Sequence, residues 1–156
     1  MVFKRKKALS EFIVAVAITA TIAVLSFFSR IENFLSMYYF QTVYPWYPHW
    51  RIAVAMFLLW IIASTFASRE RKLFVWLMVT SALTLALAHY SMLLAETSRG
   101  VEVKLLPLLN LVEVNRAEIY RVDIAQVVLT LTAVECYFIS RKPPRTALSG
   151  QQTPSR

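Results

Sequence analysis

Apolar residues fall along this chain in four long runs, and the stretches between them carry most of the charge. The runs cover approximately residues 8–29, 52–68, 73–95 and 122–140. At 1.5 Å per helical residue, about 20 residues cross some 30 Å of hydrocarbon, and slightly fewer suffice where a bilayer thins. The pattern predicts an all-α integral membrane protein in which residues 1–141 form one four-transmembrane-helix antiparallel bundle. Residues 30–51 and 96–121 become extracytoplasmic segments, and the proline- and serine-rich residues 142–156 a disordered cytoplasmic tail.

The connection from Arg69 to Lys72 is so short that the second and third helices must be antiparallel neighbours. After the third run the period of the pattern changes. VEVKL (Val101 to Leu105) and LVEV (Leu111 to Val114) alternate apolar and charged residues around Pro107 and Asn110, which predicts a short extracytoplasmic β-like hairpin. An isolated hairpin is marginally stable, so this one needs a partner surface, either the helix tops or another subunit. Asn115 followed three residues later by Glu118 resembles a capping box. The fourth helix is therefore expected to begin at about Arg116 and to carry Glu118, Arg121 and Asp123 above the membrane.

Composition supports the membrane reading: 58% hydrophobic and 17% charged residues are too apolar for a single soluble core of this size. The first run follows Lys4, Arg5, Lys6 and Lys7 as a secretory signal would, but its apolar part is too long and its one A-x-A pattern, Ala15 to Ala17, lies mid-run. It is read as a span. With the N-terminus inside, eleven Lys and Arg fall in the inner segments and six in the outer ones, while six of the nine acidic residues lie outside. The positive-inside rule then gives an N-in, C-in multi-pass protein, expected in the plasma membrane. The whole net charge of +8 sits on the inner face, where anionic lipid headgroups are the expected partner. No aromatic interleaving or nucleic-acid motif accompanies these charges, so no nucleic-acid partner is expected.

In lipid, helices associate over small residues and through hydrogen bonds. Ala15, Thr19 and Ala23, Ala63 and Ala67, and Thr80, Thr84 and Ala88 each recur at helical spacing, and predict the seams of a left-handed bundle. The stretch Tyr38 to Arg51, YYFQTVYPWYPHWR, is dense in rings. Tyr38, Tyr39, Tyr44, Trp46, Tyr47 and Trp50 are read as a membrane-interface belt, with Pro45 and Pro48 turning the chain into the second span.

Chemistry is sparse. Cys136 is the sole cysteine, which excludes an internal disulfide and any paired-cysteine redox or zinc motif. The two histidines, His49 and His89, both fall toward the outer side, and with Glu96 could bind haem, copper or another metal, or a quinone headgroup. Glu11 and Glu135 are expected to reach water or pair with Lys6, Lys7, Arg141 or Lys142 at the inner ends of their spans. No serine triad, phosphate loop or paired zinc histidines are present, so no enzymatic activity is expected. The first functional expectation is a non-catalytic accessory or assembly subunit of a larger, for instance energy-transducing, membrane complex that contacts other membrane subunits. The alternatives are a redox subunit using His49 and His89, and a small oligomeric transporter or channel lined by Thr19, Thr84, Gln126 or Glu135.

Overall fold

The computed structural model describes residues 2–29, 44, 46–98, 101–114 and 117–141, the side chains of residues 2–7 and 114 excepted. Helices α1 (Val2–Phe28), α2 (Tyr47–Phe66) and α3 (Lys72–Thr97) are followed by strands β1 (Glu102–Leu106), β2 (Leu109–Val114) and β3 (Ala117–Val122), then helix α4 (Ile124–Arg141). Four helical stretches are long and apolar enough to cross a membrane: Ala8–Phe28, Tyr47–Phe66, Lys72–Thr97 and Ile124–Arg141.

Helix α3 is the hub and packs against α1, α2 and α4. Its buried side chains Leu77, Met78, Ala82 and Leu85 meet Ala15 of α1, Met56, Trp60 and Ala63 of α2, and Ala125 and Val128 of α4. The outward faces are as apolar as this core. Leu58, Leu87 and Phe138 are 56%, 71% and 57% exposed, which a bundle in water would bury and which lipid accommodates. Hydrogen bonds also join helices in the middle of the bundle. Thr19 Oγ1 lies 2.8 Å from Thr80 Oγ1, and Trp60 Nε1 donates to Thr132 Oγ1 at 2.8 Å.

Helix α2 starts five residues before the expected Ile52. Pro48 falls at the second helical position, where its missing N–H costs no intrahelical bond and its fixed φ suits the first turn. It therefore opens the helix. Buried Arg51 lies one turn further on, with its guanidinium donating to the carbonyls of Phe27 (2.8 Å) and Ser29. These carbonyls sit at the end of α1, where the last C=O groups lack intrahelical partners and the helix dipole favours a cation.

Between α3 and α4 the chain builds a three-stranded antiparallel sheet, order β1-β2-β3, in place of a hairpin. The expected helix start at Arg116 is overturned: Ala117–Val122 is strand β3, paired along β2 from Val114↔Ala117 to Leu109↔Val122. The true helix start carries the same signature eight residues on. Asp123 accepts the Gln126 backbone N–H at 3.0 Å through Oδ1, so Asp123-Ile124-Ala125-Gln126 is the capping sequence that operates.

The β1–β2 turn is Pro107-Leu108, closed by the pair Leu106↔Leu109. Leu108 has φ 61°. Proline followed by positive φ is the type II pattern, in which the second position normally holds glycine; a leucine there costs about 1–2 kcal/mol.

Candidate functional site: a polar cluster joining sheet and helices

The densest set of buried polar groups among the described residues lies where the sheet meets α3 and α4. Its centre is Asp123, fully buried at the N-terminus of α4. Oδ1 takes the Gln126 backbone N–H; Oδ2 accepts from Gln126 Nε2 at 2.9 Å and from the Tyr90 hydroxyl at 3.3 Å. Asn110 of β2, also buried, turns its amide nitrogen to Asp123 Oδ2 (3.1 Å) and the Leu109 carbonyl (3.3 Å). Its amide oxygen then faces His89, whose Nε2 is 3.4 Å from the Asn110 amide and 3.5 Å from Asp123 Oδ1. This arrangement assigns the Nε2–H tautomer to His89.

A carboxylate out of water is costly unless its lone pairs are met by donors. Here the donors come from three separate elements: Tyr90 from α3, Asn110 from β2, and Gln126 with its own N–H from α4, while His89 of α3 donates to the Asn110 amide oxygen. The negative group also sits at the positive end of the α4 dipole. The cluster therefore acts as a latch. Gln126 extends it, because Oε1 accepts the Leu108 N–H (2.8 Å) while Nε2 also donates to the Leu106 carbonyl (3.0 Å). The Asp123 N–H completes the contact at the Leu108 carbonyl (3.0 Å).

The cluster fixes a level in the bundle. From it, α3 runs from His89 back to Lys72 and α4 runs from Asp123 to Arg141, each about 26 Å at 1.5 Å per residue. Beyond it α3 continues to Thr97, a further 12 Å or so, with no α4 alongside. The sheet lies along that overhang, held by β1 against α3 and by Arg121 Nη1 against Glu96 Oε1 at 3.5 Å.

The other sequence-derived candidates are distributed as follows. His49, in the first turn of α2, has its ring edge-on to Phe27 at 6.4 Å, whereas His89 faces Asp123 and Asn110. The two histidines thus have different partners, and Glu96 is engaged by Arg121. Among the described residues no group of three or more His, Cys, Asp or Glu is placed to hold a metal ion. Of the aromatic stretch, Tyr38 and Tyr39 lie outside the described residues. Tyr44 and Trp46 are in ring contact at 5.1 Å, and Tyr47 stacks on Trp50 at 5.5 Å. Ala15, Thr19, Ala63 and Ala88 are buried; Ala23, Ala67, Thr80 and Thr84 are half-buried. Glu11 keeps Oε2 buried with no partner among the described residues, Glu135 is half-buried, and residues 142–156 lie outside them.

The sequence places Asp123 in the first turns of the fourth helix and Gln126 among the polar groups of its outer half, and singles out neither Asn110 nor Tyr90 as a partner for Asp123. The available signal was the D-x-x-Q spacing, which competes with N-x-x-E only eight residues earlier. No family model matches the chain, and no match was found among curated proteins or solved structures.

Proposed function

We propose that this chain is a non-catalytic integral membrane subunit, an accessory or assembly component of a larger complex in the plasma membrane, with both termini cytoplasmic and the sheet outside. The observation that carries the reading is β3. All six of its residues are exposed, and Ile119, Tyr120 and Val122 are 44%, 62% and 57% accessible. Ile119 shares its face with its cross-strand neighbour Val112, which is 1% exposed, so burial on that face ends between β2 and β3.

At the other edge, β1 is guarded by the pair Lys104 Nζ–Glu102 Oε1 at 3.3 Å, a charge device that discourages strand pairing. Beside Glu102 the Lys104 ammonium is held above its ordinary pKa. Among the described residues no strand pairs with the outer edge of β3, and an edge strand with apolar residues on both faces is suited to accepting a strand from another protein.

A second copy fits that edge poorly. Antiparallel pairing of β3 with itself must keep like faces together, and so must centre on Ile119 or Tyr120. The first register brings two Glu118 residues into diagonal proximity and the second brings two Arg121 residues there, and like charges at such positions repel. The proposed partner is a different chain.

Photo-cross-linking from position 120 in native membranes, followed by purification in mild detergent, tests this. A discrete heterologous adduct that disappears when Ile119 is changed to proline is the expected result. Adducts only to lipid, or only to a second copy, would overturn it.

A further inference from the structure

We propose that the Leu105–Leu109 turn is a lipid anchor, seated at the boundary between headgroups and acyl chains of the outer leaflet. The inference rests on the membrane placement proposed above but concerns the β1–β2 turn, not the outer edge of β3. Three independent observations support it.

The first is composition and exposure. Leu105, Leu106, Leu108 and Leu109 are 58%, 38%, 48% and 37% exposed, and Ile124, at the start of α4, is 42% exposed. Leu108 holds the position of positive φ that glycine would occupy without strain, so the fold accepts a backbone cost to display a leucine there.

The second is the state of the backbone. A turn in water leaves its polar groups to solvent, but lipid supplies no hydrogen bonds. Here the Leu106 C=O, the Leu108 N–H and the Leu108 C=O are bonded to Gln126 and Asp123, and Pro107 has no N–H. The turn therefore presents apolar side chains with most of its backbone polarity already satisfied internally.

The third is position and gradient. The turn is tied to the first turn of α4, about 26 Å from the far end of that helix, which is the depth at which a hydrocarbon layer of roughly 30 Å gives way to headgroups. At the far end of the sheet Glu102, Glu113 and Glu118 stand in one cross-strand row. Three carboxylates side by side require water, and about 15 Å of strand separates them from the turn. One end of the sheet suits lipid and the other suits solvent.

The test uses the full chain with Cys136→Ala, which leaves no other cysteine, and single cysteines at 83, 105, 108 or 118 carrying a nitroxide label. The protein is reconstituted in phosphatidylcholine vesicles, and collision with oxygen is compared with collision with a water-soluble nickel chelate. Leu83, 52% exposed in the middle of α3, is the lipid reference and Glu118 the water reference. The expected result is that positions 105 and 108 favour oxygen as position 83 does, while position 118 favours nickel.

Nickel access at 105 and 108 with position 83 still lipid-like overturns the anchor alone. Shielding of 105 and 108 from both reagents also overturns it, because the turn is then covered by protein, either another chain or another segment of this one. Nickel access at position 83 defeats the membrane placement itself. Since the label at 108 replaces the strained residue, position 105 serves as the decisive site. Adding Gln126→Ala, which frees the turn's backbone groups, should shift 105 toward nickel.

Discussion

Two helix ends at the same level of the bundle are closed by opposite chemistry. The C-terminus of α1 is closed by the guanidinium of Arg51, and the N-terminus of α4 by the carboxylate of Asp123. Each charge matches the sign of the dipole end it meets, and each is buried. They differ in reach. Arg51 ties one helix to another, whereas Asp123, with Gln126 beside it, ties α3, α4 and the sheet. Burying a charge among several partners concentrates structural dependence on it.

Substitutions can break this comparison. The largest effect is expected from Asp123→Ala, which removes a helix cap and strands the donors of Tyr90, Asn110 and Gln126; a loss of about 3 kcal/mol or more in detergent unfolding is expected. Asp123→Asn retains a capping oxygen and should lose clearly less, about 1–2 kcal/mol. Equal losses for the two variants would show that charge, not cap geometry, dominates. Arg51→Met should cost about 2 kcal/mol, with hydrogen exchange rising at the end of α1 and not in the sheet. Exchange rising in the sheet instead would show that the two ends are coupled.

Smaller effects sharpen the contrast with the hydrogen bonds in the middle of the bundle. Trp60→Phe leaves the Thr132 hydroxyl its bond to the Val128 carbonyl at 2.7 Å. About 0.6–1 kcal/mol is expected, measured by the same unfolding titration. The least effect belongs to Lys104→Gln at the exposed row of glutamates. It should leave global stability unchanged within error and raise exchange only in β1, because surface pairs contribute little.

The four helices were legible because their outward faces are as apolar as their inward ones, so each contains a long charge-free run such as Phe74 to Leu87. The β1–β2 hairpin was legible from its period of two. Strand β3 was concealed by the competing cap Asn115-x-x-Glu118, since a local signature of four residues says nothing about which copy wins. Pairing with β2 decides it, and that pairing is long-range. The latch was hidden for a related reason. His89, Asn110 and Asp123 belong to three elements, and nothing in their spacing reveals that they converge. Arg51 was legible only as a cation near a span, because the carbonyls it meets are peptide groups of another helix.

The Gln126 amide, which grips the β1–β2 turn by two of its backbone atoms, also constrains the order of synthesis. The sheet leaves the ribosome before α4, so a nascent chain that has made the first three helices and all three strands still lacks the groups that hold its turn. Closure must await the last helix. A chain stopped before residue 126 would keep its hairpin pattern but have no clasp, and quality-control proteases would meet that end of the molecule open.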